Sequence, residues 1–475
     1  MTSKWMVVVF AILGLAGCSR SPQAALDDAA KTMGATNLKS IQYSGSGAFY
    51  SLGQNVNPND PWPKANLQTY SCWIDYEGQA SREELVRDGG FRPHLTQFVS
   101  GSSAWVTVGD DPKPLPTPDG VSERQLQILL TPHGFLKAAK ADSPTVTQQT
   151  QDGKKVTIVS FTALGKYPVT GRINDQNLVD SVEAQFPNPV LGDMSIKNTY
   201  SNYKDFGGVQ FPTRIVQEEG SYPTLELNVS NVQPNATASV SVPDAARQAT
   251  AAPKVASEKI ADGVWFVGGG SHNSMAVEYK DFVAVVEGPL SDERSRAVIA
   301  EVKKLIPDKP IRYVVSTHHH FDHSGGLRTY VAEGATIVTP EIDRPLYEKV
   351  FQAPHTLDPD SLSKAPAQPK FEFFSDKHEL SDGTRKMELY AIEGNPHAAD
   401  IILVYLPKEK ILCEADLFNP GGPAGAEPPA GAQNPLAANL YGNIQRLKLD
   451  VKQIVPIHGH VVPITELRKA AGPAA

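Results

Sequence analysis

Alternating apolar and polar residues dominate the first half of the chain and predict a β-rich region. Turn-forming Gly, Asn, Asp and Pro residues separate the alternating segments, which run over Ser40–Leu52, Leu67–Tyr76, Leu95–Val108, Lys155–Leu164 and Ile196–Val232. Apolar residues at helical spacing predict helices at Ala24–Met33 and Ser122–Ala141, and Pro132 should break or kink the second helix. We therefore expect a β-rich α+β domain over residues 21–245.

The second half has a different pattern, in which a strand, a helix and another strand follow one another. Phe282–Val286 is an apolar run, Arg294–Leu305 has apolar residues at helical spacing, and Ile311–Thr317 is again strand-like. This order predicts a layered α/β architecture. A stretch rich in Ala, Ser, Thr and Pro precedes it and lacks aromatic residues, which predicts a linker at residues 246–256 and a second domain over residues 257–470.

The first residues predict that the protein is exported and anchored to a membrane. A short apolar run follows Lys4 and ends in Leu15–Cys18, which resembles the lipobox of bacterial lipoproteins. That resemblance implies a signal peptide over residues 1–18, a lipid anchor on Cys18 and a location in the bacterial cell envelope. Ser19 favours the outer membrane, on the side that faces the periplasm. An ordinary signal peptide with a chance cysteine is the alternative interpretation.

Composition and charge narrow the classes of partner. With 40% hydrophobic and 20% charged residues, the chain has the composition of a folded protein. Its 44 Lys and Arg residues against 52 Asp and Glu residues give a formal net charge of −8. Such a chain offers no basic surface to a phosphate backbone, so a nucleic-acid partner is disfavoured.

Ten of the twelve histidines lie beyond residue 256, and four of them form a compact cluster. The segment His318-His319-His320-Phe321-Asp322-His323-Ser324-Gly325-Gly326 follows directly after a predicted strand, where side chains can converge on a cleft. His318 and His320 can reach one metal ion, while Asp322 and His323 can turn toward a second. Imidazole and carboxylate ligands suit zinc, with iron and manganese as alternatives. A solvent-exposed histidine cluster is the competing interpretation.

The motif His318-x-His320-x-Asp322-His323 resembles the signature of metallo-β-lactamase fold metallohydrolases, and the resemblance extends over about residues 258–465. It implies a four-layer αββα sandwich of two mixed sheets, with metal ions held by loops at strand ends. In the first half, Tyr203–Ile215 resembles the late hairpin of periplasmic lipoprotein-carrier domains. That second resemblance implies an incomplete antiparallel barrel with a cavity for an apolar ligand.

The metallo-β-lactamase resemblance also implies the complete ligand set. Three residues would hold the first zinc ion, three would hold the second, and one aspartate would be shared by both. In that order, the implied ligands are His318, His320 and His397, then Asp322, His323 and His458, and finally Asp416.

Several neighbours of these residues need separate interpretation. Glu414 and His460 compete with Asp416 and His458, although we expect both to lie outside the ligand set. Glu287 stands where the family often has an aspartate, and it should hydrogen-bond to the ligand loop with a longer arm. His319 is expected to be structural. No ligand position is assigned to His272, His355 or His378.

The resemblance implies a dinuclear hydrolase that attacks its substrate with a metal-bridging hydroxide. Asp322, which would also orient the hydroxide, and Asp416, which would bridge the ions, are the candidate catalytic residues. The expected substrate is a small ester, lactone, thioester or amide, and a β-lactam falls within this set. Two loops, at 347–374 and 419–434, are expected to set substrate choice, and the composition of the second fits either a mobile lid or a plain surface loop.

Two other functions remain open on the sequence alone. One is an iron-dependent oxidoreductase on the same fold, such as the mono-iron persulfide dioxygenases. The other is an envelope protein that binds a lipid or lipoprotein with its first half and carries an accessory metal domain. Iron with oxygen uptake would favour the first alternative, whereas zinc would favour the hydrolase.

Overall fold

The computed structural model describes residues 22–89, 92–421 and 434–472. The predicted signal peptide, Cys18 and most of the loop at 419–434 lie outside these ranges, so the lipid anchor, the envelope location and the mobile lid stay predictions. Within the described ranges, no helix combines the length with the apolar character that crossing a bilayer requires.

The N-terminal region is built on one antiparallel sheet of 13 strands. The strands are β1 (Ser40–Tyr50), β2 (Lys64–Asp75), β3 (Ala80–Arg87), β4 (His94–Ser100), β5 (Ser103–Val108), β6 (Asp111–Pro116), β7 (Thr145–Gln151), β8 (Lys154–Ala163), β9 (Tyr167–Ile173), β10 (Val179–Asn188), β11 (Gly192–Asp205), β12 (Gln210–Glu219) and β13 (Tyr222–Pro234). Their order in the sheet is β6-β5-β4-β3-β2-β1-β13-β12-β11-β10-β9-β8-β7, so β6 and β7 are its two ends. The predicted β-rich region is confirmed.

Three helices pack on this sheet, and they are α1 (Pro22–Thr32), α2 (Val121–Leu129) and α3 (Pro132–Ala141). Leu26 and Phe135 of the helices share one apolar core with Val99 of β4 and Val159 of β8. Because strands near both ends of the sheet contribute to the same core, the sheet curves around the helices. The predicted break at Pro132 separates α2 from α3, and Pro132 is the first residue of α3, where its missing N–H leaves no hydrogen bond unmade.

The C-terminal half has two mixed sheets. The seven-stranded sheet contains, in spatial order, β14 (Ala256–Ala261), β15 (Val264–Gly268), β16 (Ser274–Glu278), β17 (Val283–Val286), β18 (Ile311–Val315), β19 (Thr336–Pro340) and β20 (Lys370–Phe374). The six-stranded sheet contains β21 (Lys377–Ser381), β22 (Lys386–Ala391), β23 (Ile402–Leu406), β24 (Ile411–Glu414), β25 (Gln453–Pro456) and β26 (Val462–Pro463). The pairs from β17 to β20 are parallel, as is β24 with β25, and the other pairs are antiparallel.

Eight α-helices follow β13 in the described residues. They are α4 (Asp244–Arg247), α5 (Asp292–Leu305), α6 (Phe321–Ser324), α7 (Leu327–Ala332), α8 (Arg344–Val350), α9 (Ser361–Lys364), α10 (Pro435–Arg446) and α11 (Ile464–Ala471). Helix α4 contacts β5 and β6 of the N-terminal sheet, and the others lie between or after the strands of the C-terminal half. The segment 347–374, which we expected to be a loop, instead contains most of α8, all of α9 and β20. Tyr347 is buried in the core beneath it, so this segment is part of the scaffold.

Each sheet of the C-terminal half is buried on both faces. Successive residues of β17 point alternately into two different cores. Ala284 and Val286 face the six-stranded sheet, whereas Val283 and Val285 pack with helices α5 and α7. This two-sided burial explains why β17 is a continuous apolar run. Helices α10 and α11 cover the outer face of the six-stranded sheet in the same way.

The candidate ligands follow strand ends in this scaffold. The segment His318–His323 comes directly after β18, Asp416 follows β24, and His458 follows β25. His397 lies in the connection between β22 and β23. Strand ends therefore bring residues that are far apart in the sequence to one place.

Candidate metal centre

The seven predicted ligands converge in two adjacent groups. Their ligand atoms lie within 4.8 Å of one another inside each group. The first group is His318, His320, His397 and Asp416, and the second is His272, Asp322, His323 and His458. All seven predicted residues are thus brought together, and their binding of metal stays a prediction. His272 is an additional member that the sequence interpretation missed.

Asp416 joins the two groups. Its Oδ2 lies 2.8 Å from His397 Nε2 of the first group and 3.1 Å from His323 Nε2 of the second, and its Oδ1 lies 2.8 Å from His458 Nε2, so the carboxylate contacts both groups. The backbone of Asp416 is in the left-handed region, with φ of 64°. A non-glycine residue rarely adopts this conformation, and such strain concentrates at functional sites. The turn therefore aims a carboxylate between the two groups at a conformational cost.

Glu414 belongs to neither group and instead supports the turn. It is the last residue of β24, and its buried Oε2 accepts hydrogen bonds from the backbone N–H of Leu417 (3.1 Å) and of Phe418 (3.2 Å). Burial raises the pKa of Glu414 to about 8, against the opposing effect of these hydrogen bonds. We infer that Glu414 fixes the loop that presents Asp416.

The hydrogen bonds predicted for Glu287 are present. Its Oε2 accepts from Thr317 Oγ1 (2.6 Å) and from His323 Nδ1 (3.2 Å), so Glu287 orients the His323 ring. Glu287 is fully buried directly after β17 and, like Asp416, has a positive φ, of 79°. With Nδ1 occupied in this way, His323 presents Nε2, which lies 3.1 Å from Asp416 Oδ2.

Two glycines complete the ligand loop through close packing. A Cβ on Gly325 would lie 2.2 Å from the carbonyl oxygen of Leu290, and a Cβ on Gly326 would lie 2.0 Å from Ser295 Oγ. Both positions therefore need a residue without a side chain. The loop after β18 can approach the start of α5 only for this reason.

The histidines of the site titrate in opposite directions. Burial by itself would lower the pKa of His323, but the carboxylates of Asp416, Asp322 and Glu287 raise it well above its usual range. Burial lowers the pKa of His318 to about 4, and burial likewise lowers the pKa of His272 to about 4. Both imidazoles are therefore neutral at pH 7, which is the form that binds metal. Burial by itself would raise the pKa of Asp416, but the nearby His323 and the contacts with His318 and His397 hold it well below the usual range.

His272 reaches the second group from a glycine-rich loop. The loop follows β15, and the guanidinium of the buried Arg294 donates to the carbonyl oxygen of His272 (2.9 Å). His272 Nε2 lies 3.2 Å from Asp322 Oδ2. The preceding carbonyl of Ser271 accepts from His458 Nδ1 (2.8 Å), which orients that ring as well. A histidine after a strand and a run of glycines was the signal available in the sequence.

The other histidines lie outside these two groups. His319 donates from Nδ1 to Asp400 Oδ1 (2.7 Å), and its backbone N–H donates to Asp400 Oδ2 (2.6 Å), which agrees with the structural role predicted for it. With Asp343 these residues form a third buried group behind the ligand loop. His460 is exposed, and neither His355 nor His378 joins a group of the described residues.

A comparison with known protein families matches most of the C-terminal half to one family. Residues 267–458 match the metallo-beta-lactamase superfamily. The C-terminal half of the chain is therefore a member of the metallo-beta-lactamase superfamily. It combines the hydrolase-type fold of that superfamily with two groups of residues that could hold metal ions.

Two curated relatives match shorter stretches. The linear primary-alkylsulfatase of Pseudomonas sp. (strain ATCC 19151) is 40% identical over 57 residues, which are 12% of this chain and 11% of that protein. The metallo-beta-lactamase type 2 of Elizabethkingia meningoseptica is 25% identical over 140 residues, which are 29% of this chain and 49% of that protein. The chain thus spans at most about half the length of these relatives.

Solved structures of metallo-beta-lactamases also resemble the chain. The enzyme from Pontibacter korlensis matches with 22% identity and a TM-score of 0.36, over 45% of this chain and 95% of that chain. FIM-1 from Pseudomonas aeruginosa, in its mono-zinc form, matches with 25% identity and a TM-score of 0.35, over 46% of this chain and 92% of that chain.

Proposed function

We propose that the C-terminal half is a metal-dependent hydrolase that holds two zinc ions. The observation that carries this proposal is the convergence of buried imidazole nitrogens on Asp416. His318 Nε2 and His397 Nε2 lie 3.4 and 2.8 Å from its Oδ2, and neither they nor His320 Nδ1 has a well-aligned hydrogen-bond partner. All three belong to the first group, around Asp416. Buried polar atoms without a partner are rare and costly, and three of them beside one carboxylate fit a bound cation. Nitrogen and oxygen donors favour zinc.

Asp416 and Asp322 have different roles in this proposal. When bound, the metal ions would supply a hydroxide nucleophile near neutral pH and polarise the substrate. Asp416 holds the two groups next to each other, because its carboxylate contacts histidines of both. The side chain of Asp322 is 37% exposed, whereas those of His318 and His323 are fully buried. Asp322 therefore faces the open side, where its carboxylate accepts a hydrogen bond from the attacking water and orients it.

The proposed substrate is a small ester, lactone, thioester or amide, with β-lactams included. The two curated relatives support a wide panel, since one is named as an alkylsulfatase and the other as a beta-lactamase. An alkyl sulfate ester therefore joins the panel.

We also propose a four-layer αββα order for a domain over residues 257–470, with a linker at 246–256 after a domain at 21–245. Packed helices outside both sheets support the layer order, and an experimental structure would test it.

Removing the metal should abolish hydrolysis, and zinc should restore it. The purified chain is expected to contain two zinc ions. Chelation should lower its hydrolytic rate at least about 100-fold, which is more than the loss of a residue that hydrogen-bonds to a metal ligand typically causes. The measurement combines elemental analysis with initial rates on the panel, before chelation and after zinc is returned. One iron ion per chain together with oxygen uptake would contradict the hydrolase and support the iron-dependent oxidoreductase.

We propose a second function for the N-terminal region, the binding of an apolar ligand. A cavity of about 310 Å³ lies between the sheet and α2, a volume near the lower end of the range of small-molecule sites, roughly 300–1,000 Å³. About half of its lining is aromatic or aliphatic and includes Tyr43, Phe49, Leu85, Ile128, Phe211 and Leu227, and the rest is largely polar and includes Glu123, Arg124 and Glu219. Glu83 is one of the polar lining residues, and it accepts hydrogen bonds from Tyr70 Oη (2.7 Å) and Gln97 Nε2 (3.1 Å).

Filling the cavity should weaken ligand binding. Leu85→Trp places a large ring in the lining and should reduce the affinity for a fluorescent long-chain fatty acid by about tenfold or more, given overpacking costs of roughly 1–3 kcal/mol. Leu164→Trp is the matched control, because Leu164 is exposed and lies outside the lining. A fluorescence titration measures both. Equal affinity in the two variants and the unmodified chain would contradict the proposal.

A further inference from the structure

The loop between β1 and β2, residues 51–63, crosses from the N-terminal sheet to the metal centre. Gln54 Nε2 donates to Asp322 Oδ1 (2.8 Å), and His320 Nε2 donates to the carbonyl oxygen of Asn55 (3.0 Å). The backbone N–H of Phe321 donates to the carbonyl oxygen of Gly53 (3.2 Å). Two predicted ligands, one from each group, thus have a hydrogen-bond partner on this loop.

The β1–β2 loop is itself held in shape. The side chain of Asn55 is buried and donates from Nδ2 to the carbonyl oxygens of Asn57 (2.7 Å) and Asp60 (2.9 Å). At the far end, the Trp62 ring packs edge-on against Tyr222 of the N-terminal sheet and against Phe321 of the ligand loop, with ring centroids 5.2 and 5.6 Å apart. The loop therefore presents its carbonyl and amide groups from a rigid support.

The approach of this loop is close enough to require glycine. Gly53 has φ of +68°, and a Cβ there would lie 2.3 Å from the Phe321 ring. Both the backbone conformation and the space exclude a side chain. Phe321 begins α6, the short helix that carries Asp322 and His323, so the contact acts on the ligand segment directly.

We propose that the β1–β2 loop is a positioning element of the metal centre, and this inference rests on the proposed function. By accepting a hydrogen bond from His320 Nε2–H, the Asn55 carbonyl fixes the tautomer in which Nδ1 is unprotonated. His320 belongs to the first group, and its Nδ1 is buried and makes no hydrogen bond, so this nitrogen is the one available to a metal ion. The Gln54 amide binds Oδ1 of Asp322 and leaves Oδ2 directed at the second group, 3.2 Å from His272 Nε2.

A second contact between the same two regions lies away from the metal centre. Asp193, in β11, accepts hydrogen bonds from the backbone N–H of Thr356 (2.9 Å) and of Leu357 (3.0 Å). Its own backbone N–H donates to the carbonyl oxygen of Pro354 (2.7 Å). Asp193 therefore helps to hold the N-terminal sheet against the C-terminal half without contacting a predicted metal ligand. Its substitution can show the effect of weaker docking alone.

The test compares Gln54→Met with Asp193→Ala in the full chain. Gln54→Met keeps the length of the side chain but removes the amide donor. It should weaken cobalt(II) binding to the metal-free protein by about 10- to 100-fold, as the loss of an outer-shell partner does, and change the cobalt absorption spectrum. Asp193→Ala should bind cobalt like the unmodified chain. Gly53→Ala should reduce cobalt binding as well, because it displaces Phe321.

Each outcome decides the inference. Cobalt affinity and spectrum equal to the unmodified chain in Gln54→Met would overturn it and leave the proposed function standing. An equal loss in Asp193→Ala would also overturn it, since general docking would then explain the effect. Absence of cobalt binding by the unmodified chain would overturn the proposed function and this inference together. Thermal unfolding of the metal-free variants, expected to be unchanged for Gln54→Met, excludes misfolding as the cause of a loss.

Discussion

Asp416→Ala should release most of the bound metal and lower the hydrolytic rate by at least about 100-fold, beyond the effect of losing an outer-shell partner. The reason is geometric, because Asp416 is the one described residue with an oxygen 2.8 Å from a histidine of each group. Removing it leaves both groups with one fewer anionic donor, so the positive charge of the bound metal ions is less well compensated. Elemental analysis and initial rates on the substrate panel measure the two effects.

A surface carboxylate of the same half provides the control for Asp416. Asp450 has a 70% exposed side chain and pairs with Lys410, so Asp450→Ala should keep both metal and activity. Asp416→Asn keeps the shape of the side chain and removes its charge, and it should resemble Asp416→Ala if charge is what matters. Full metal content in Asp416→Ala would contradict the bridging role.

His458→Ala should lower metal content and activity far more than His460→Ala, although only one residue separates these positions. His458 is buried and its Nε2 contacts Asp416, whereas His460 is exposed and contributes its backbone N–H to the carbonyl oxygen of Pro420. We expect about one metal ion per chain to be lost in the first variant, since a zinc site that loses one of its few ligands binds weakly. The same elemental analysis and rates measure it.

The pair contains its own control. Both substitutions remove one imidazole from the same loop, so they differ only in the direction in which the ring points. A larger effect of His460→Ala would exchange the two assignments. Equal and small effects would remove this loop from the second group altogether.

The sequence allowed the ligand segment to be predicted because its signals are local. Two histidines two positions apart, the following Asp322-His323 pair and a preceding strand all lie within a few residues, so one loop geometry satisfies them together. The more distant His397 and His458 could be assigned only through the family resemblance, which supplies their order along the chain. The structure brings both into the groups expected for them.

Other features depend on information that alternation along a strand does not contain. Glu414 and Asp416 are two positions apart, and residues so spaced share a face of a strand, so periodicity cannot choose between them. The choice depends on the end of β24 at Glu414 and on the left-handed turn at Asp416. His272 was missed because its loop has no strong pattern apart from glycines.

The contribution of the N-terminal region could not be predicted from the sequence. Gln54 and Asp322 are separated by 268 positions, and nothing near Gln54 resembles a ligand motif. Such contacts follow from the way in which two regions dock, which is a property of their surfaces. The sequence interpretation therefore assigned every candidate ligand and its support to the second half, whereas the structure places a loop of the first half against the candidate ligands.

The contact between Gln54 and Asp322 has a thermodynamic consequence for the whole chain. Coupling between two equilibria is reciprocal, so whatever free energy the loop adds to the affinity for zinc, zinc returns to the association of the two regions. Gain or loss of the ion would then change how firmly the cavity-bearing sheet is held, at a distance from the chemistry.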